Sequence, residues 1–142
     1  MMKTHKLYRP VGGKEMSLII ESGYRKFPPR LEWQPIFYPV LDEGYAAEIA
    51  EKWNTRDEFG NYLGFVTCFD IPKDIMNQYP IQNVGAQNHN EIWVPAEELE
   101  KFNQSIIGTI RVLKIFVGDQ FLESKDQEIE NLIKRSLTDG ND

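Results

Sequence analysis

The longest β-like run in the chain, residues 106–117, is apolar on both faces. A strand apolar on both faces needs cover above and below, which places it at the centre of a sheet. Gly108, near its start, is a natural bulge position. A chain organised around such a strand must supply partner strands and covering helices. Residues 63–71 alternate well enough for a core strand, and Pro72 ends it. Residues 6–11 predict a short strand limited by Pro10, which cannot donate a ladder bond. Residues 36–40, 81–84 and 92–94 predict shorter extended pieces.

The helices fall between these strands. Gly12-Gly13 is a turn, and residues 14–22 form a helix with Met16, Ile19 and Ile20 buried, closed by Gly23. Residues 24–35 are rich in proline, arginine and aromatics, and Pro28-Pro29 imposes an extended surface loop. Asp42 caps a helix running to about Trp53, with Tyr45, Ile49 and Trp53 on one stripe and Ala46 and Ala50 beside it. Residues 54–62 are a polar loop, and 73–78 hold one helical turn. Pro95 opens a short helix over 96–102 as its first residue. Residues 125–137 form a last helix with Ile129, Leu132, Ile133 and Leu137 as its stripe. Residues 119–142 thus comprise a C-terminal helix and a tail that frays after Thr138. This order predicts a single α+β domain over 1–142 rather than a regular βαβ array.

Composition narrows the function. With 142 residues and 41% hydrophobic side chains, the chain fits one domain with a real core. A net charge of −6 argues against non-specific nucleic-acid binding, although Arg9, Lys14, Arg25, Lys26 and Arg30 make the first thirty residues locally basic. Cys68 is the single cysteine and lies in an apolar run, so a buried thiol is expected and a cysteine-rich metal site is excluded. Neither a secretory leader nor an 18-residue apolar run is present, which predicts a cytoplasmic protein that does not span a membrane.

Three groups of side chains draw attention. Arg9 lies in an apolar strand, either facing solvent in an ordinary ion pair or holding an anion with its planar fork. Tyr38, with Trp33 and Phe37, either stacks on a planar ring or seals the core beneath a long loop. Glu91 ends the polar cluster Asn88-His89-Asn90 at the mouth of the short apolar strand. If this segment is extended, His89 and Glu91 point to the same side and form a candidate acid–base pair; the alternative is a helix-approach turn. No metal-ligand spacing, phosphate loop or nucleophile elbow is present, so no metal is expected.

In their order along the chain, these segments resemble the ADP-ribosyltransferase superfamily. Leu7-Tyr8-Arg9-Pro10 followed by the helix ending at Gly23 is similar to its opening strand and helix. Ile36-Phe37-Tyr38-Pro39 and the following helix resemble its middle motif. Asn90-Glu91-Ile92-Trp93-Val94-Pro95 resembles the polar loop that delivers a glutamate at a strand edge, and residues 106–117 fit its final strand. The resemblance covers about residues 5–118. It implies split antiparallel sheets with flanking short helices and NAD as a substrate, cleaved at its nicotinamide–ribose bond. On this reading Glu91 stabilises the oxocarbenium-like transition state beside His89. Arg9 holds the phosphate side, Tyr38 stacks on nicotinamide, and Tyr8 and Arg30 complete the nucleotide-binding set. His89 stands where members that modify amino-acid side chains carry a glutamate or glutamine. The resemblance also admits a catalytically inactive domain that binds a nucleotide, an RNA end or a protein, because fold does not dictate chemistry. A plain interaction module is a third reading, and it requires Trp33 and Phe27 to share one exposed patch.

Overall fold

The computed structural model describes residues 3–139. The chain opens with strand β1 (Thr4–Val11) and turns at once into helix α1 (Gly13–Glu21), which buries Met16 and Ile19. The helix is stopped by Gly23 and Tyr24, both at positive φ. After the proline-rich loop, β2 (Ile36–Phe37) is short, and α2 (Glu43–Lys52) follows. Asp42 caps α2 by accepting a hydrogen bond from the Tyr45 N–H at 2.8 Å. Two 3-10 turns, Asn54–Arg56 and Glu58–Gly60, lead into β3 (Leu63–Pro72), and Pro72 starts α3 (Lys73–Met76). Then come β4 (Ile81–Asn83), β5 (Asn90–Ile92) and β6 (Val94–Pro95). A 3-10 turn, Ala96–Glu98, precedes α4 (Leu99–Gln104), so Pro95 is paired in a strand rather than placed inside the helix. The chain ends with β7 (Ile107–Val117) and α5 (Gln127–Asp139). The helix thus runs past the expected fraying point, and residues 140–142 lie outside the described residues.

The central strand is β3, not β7. β3 pairs antiparallel with β1 on one side and β7 on the other. On the far side of β1, Tyr8 bridges to Val40, and Val40 bridges to Glu91 of β5. Tyr8 and Val40 exchange both backbone bonds, at 2.9 and 2.7 Å. β4 pairs with β5, and β2 with β6. The apolar run of β7 misleads because its register slips: Val66 faces Lys114 while the next residue, Thr67, faces Val112, leaving Leu113 bulged. The bulge shifts the phase on the main-core face from Ile110 and Val112 to Ile115, while Phe116 packs against the cluster on the other face. Gly108, at φ +72°, marks a second irregularity, at the site the sequence suggested.

Helices α1, α4 and α5 supply side chains to a core on one face of this sheet, where Phe27, Phe37, Phe69 and Phe102 pack as tilted and edge-on rings 5.0–6.1 Å apart. On the other face Val40, Val66, Ala46 and Ala50 form a smaller cluster under α2. Ala46 and Ala50, not the Tyr45–Trp53 stripe, carry the buried face of α2, and Trp53 is 70% exposed. Small residues face inward because the helix backbone runs close to β3. Leu137 is likewise exposed, and α5 is anchored by Ile129 and Ile133. Phe27 is buried while Trp33 is exposed, so the two form no shared surface patch. The fold is an α+β domain of antiparallel sheets and short helices. Among the described residues, no helix is long and apolar enough to cross a membrane.

One edge of the core is expected to respond to alkaline pH. Tyr79 packs on Phe102 and donates its hydroxyl to Glu98 Oε1 at 2.9 Å. Burial, then that bond to a carboxylate, pushes the Tyr79 hydroxyl up to about 12 from 10. The fold favours the neutral phenol, so its contribution is whole below pH 10 and is lost as pH rises towards 12. The expected loss is about 1 kcal/mol after discounting for solvent exposure. Urea unfolding across this range should show a shallower decline in Tyr79→Phe; identical slopes would refute the assignment.

Candidate functional site

Alternation along β1 puts Leu7, Arg9 and Val11 on the face of the main core and Tyr8 on the α2 face. Arg9 is therefore carried inward and is 5% exposed. A buried guanidinium needs a partner. Gly12 alone separates β1 from α1, as the extended N-cap and not as part of a Gly12-Gly13 turn, and this brings the first turn of α1 beside the end of the strand to supply one. Arg9 Nε donates to Glu15 Oε2 at 2.8 Å and Nη2 donates to Oε1 at 3.0 Å, a two-pronged ion pair. The guanidinium also lies 4.7 Å from the Phe37 ring centre and 5.5 Å from that of Tyr38.

The proline-rich loop brings a second cation to the same ring. Arg30 donates from Nε to the Ile36 carbonyl at 3.0 Å, and its guanidinium is 5.7 Å from the Tyr38 ring centre. Burial, and then the positive charge of Arg9, lower the Arg30 pKa. The ion pairs among the described residues do not include Arg30. Arg9, Lys14, Glu15, Arg30, Tyr38 and Asn54 line a cavity of about 310 Å³. α1 begins at its wall; its N-cap, Gly12, offers no side-chain cap, and the Gly60 backbone packs closely against Gly12 and Gly13. The Asn54 Oδ1 atom is buried without a hydrogen-bond partner.

Glu91 belongs to a second cluster, built against α2. It is 7% exposed. Its Oε1 accepts from Trp93 Nε1 at 2.7 Å, and its Oε2 accepts from the Tyr45 hydroxyl at 3.4 Å. His89 stacks on the Tyr45 ring at 4.2 Å, and its Nε2 lies 3.3 Å from Glu48 Oε2. That contact, then Lys52, lowers the Glu48 pKa. The Tyr45 pKa is raised by burial, then by the charge of Glu91 and its hydrogen bond, with smaller contributions from Tyr38 and Glu48. The loop before β5 is tied to the helix cap, with Asn88 Nδ2 donating to Asp42 Oδ2 at 3.2 Å.

The structure thus brings Arg9, Arg30 and Tyr38 together, and separately brings His89 and Glu91 together around Tyr45. Tyr8 packs with the cluster under α2. The residues 39–41 join the two groups: Val40 is paired to Tyr8 on one side and to Glu91 on the other, and Tyr38 lies just before it. Arg9 and Glu91 nevertheless point to opposite faces, because Glu91 shares the face of Val40. Sequence reading missed Glu15, Tyr45, Glu48, Trp93 and Asn54. The Glu91–Trp93 spacing of two was a usable signal. The remaining contacts depend on how α1, α2 and the loops return to the sheet. Among the described residues, no three His, Cys, Asp or Glu side chains converge as metal ligands. No family model, curated protein or solved structure matches this chain.

Proposed function

We propose that the chain is a nucleotide-binding domain whose ligand is of the NAD class, held in the cavity between β1, α1 and the proline-rich loop. One observation carries this reading: two guanidinium groups lie near one exposed aromatic ring, and one of them, Arg30, forms no ion pair among the described residues. Lys14 adds a third cation to the lining, against the two carboxylates Glu15 and Asp57. Phosphate oxygens satisfy Arg30 and a flat base or nicotinamide satisfies Tyr38. The ADP-ribosyltransferase resemblance points to the same ligand.

A second reading, cleavage of the nicotinamide–ribose bond, is favoured by Glu91. It is a buried carboxylate with each oxygen held by a neutral donor, and it forms no ion pair among the described residues. A fixed negative charge is what an oxocarbenium-like transition state requires. The face on which it lies, turned towards α2 rather than towards Arg9, makes binding the primary proposal.

Calorimetric titration with NAD tests both. Binding is expected, with stabilisation of about 2.7 kcal/mol at 100 times the dissociation constant. Arg30→Ala should weaken it about tenfold or more, the size of a lost charge-assisted contact. No heat and no thermal shift at millimolar NAD would overturn the proposal. Nicotinamide release that disappears in Glu91→Gln would replace it with the enzymatic reading; binding without release would retain it.

A further inference from the structure

We propose that Glu15 is the specificity residue of this cavity: it occupies the Arg9 fork as an internal competitor and yields only to a ligand with two adjacent anionic groups. The inference rests on the nucleotide-binding reading of the cavity and adds the ligand class that the cavity selects.

The argument starts from the fork. Arg9 presents the two parallel donors that suit a carboxylate or a phosphate equally well, and Glu15 already fills both. Both residues line the cavity. The partners differ in freedom. The Arg9 side chain is 6% exposed and pinned over Phe37, whereas the Glu15 side chain is 22% exposed and sits on the first turn of α1. Glu15 can therefore swing into water while Arg9 stays in place. A ligand anion that replaces it keeps the fork geometry, and the freed carboxylate recovers its hydration.

Arg30 decides which ligands can do this. It carries positive charge beside the same Tyr38 ring and, among the described residues, forms no ion pair, the Glu15 charge reaching it only from its place on Arg9. A single phosphate satisfies Arg30 and leaves the Arg9–Glu15 pair intact. A diphosphate places its second anionic group at Arg9, and there it competes with Glu15 from a tethered position, where the effective concentration is high. The cavity consequently favours diphosphates over monophosphates, and the preference resides in Glu15 rather than in a contact that Glu15 makes to ligand.

Titration of ADP, AMP and inorganic pyrophosphate into the full chain tests this, with wild type, Glu15→Gln and Glu15→Asp compared. Wild type is expected to bind ADP more tightly than AMP. Glu15→Gln, which removes the competing charge, should tighten AMP about tenfold and narrow the gap. Glu15→Asp keeps the charge on a shorter stem; it should fall between the two and stands in where Glu15→Gln does not fold. ADP binding that is unchanged or weaker in folded Glu15→Gln overturns the specificity role and leaves the nucleotide reading standing. No ADP binding by wild type or by either variant overturns both. Binding by Glu15→Gln alone supports the competitor and places wild type in its closed form.

Discussion

Gly64→Ala is expected to destabilise the protein by about 3 kcal/mol, the upper part of the range for forced overpacking. A methyl group built on Gly64 would stand 2.4 Å from the Ala50 carbonyl oxygen, 2.9 Å from its carbonyl carbon and 3.1 Å from its Cα. All three are backbone atoms of α2, so no side-chain rotation relieves the clash. Either the helix lifts or β3 bends, and β3 is the strand on which both β1 and β7 are registered. Lifting α2 also withdraws Tyr45 from Glu91 and Glu48 from His89. Urea unfolding should show a lower midpoint with an unchanged slope. A loss below about 1 kcal/mol would mean that α2 tolerates displacement and that its close seating is incidental.

Arg9→Ala is expected to cost about 3 kcal/mol, because it strands a partly buried Glu15 carboxylate and empties the space over Phe37. The double variant Arg9→Met with Glu15→Gln should regain most of that loss. Methionine refills the space, and a buried ion pair stabilises little beyond the cost of breaking it. Ligand binding should follow a different course: both variants lose the fork, so neither regains nucleotide affinity. Thermal unfolding and calorimetry on the same samples separate the two effects. Recovery of affinity in the double variant would show that Arg9 is structural only. Failure to recover stability would show that the pair contributes more than its neutral replacement.

The legibility of this chain varied with how local the signal was. Asp42 before α2, Gly23 after α1 and Pro72 as the last residue of β3 were readable because capping, termination and ladder blocking depend on a few neighbouring residues. The buried face of α2 was not. The stripe of Tyr45, Ile49 and Trp53 has the larger apolar side chains, but the inward face is Ala46 and Ala50 because Gly64 admits the helix backbone close to β3. The bulge at Leu113 breaks the alternation of β7 and gives it the look of a central strand, and only its pairing with β3 reveals the register slip.

The candidate site divides in the same way. That Arg9, Tyr38 and Glu91 merit attention followed from residue type and position. Their company did not. Arg9 meets Glu15 because Gly12 alone separates β1 from α1, and Glu91 meets Tyr45 and Trp93 because residues 39–41 bridge β1 to β5. Propensities and spacings within one segment were enough to locate most of the elements and the charged and aromatic groups available for chemistry, but not the ends of the short strands around Glu91, where Pro95 closes β6 instead of opening a helix. The tertiary structure alone decided which strand is central, which face each charge occupies and which carboxylate holds which cation. Those depend on inter-strand register and helix approach, where one bulge or one missing Cβ moves a side chain to a different neighbour.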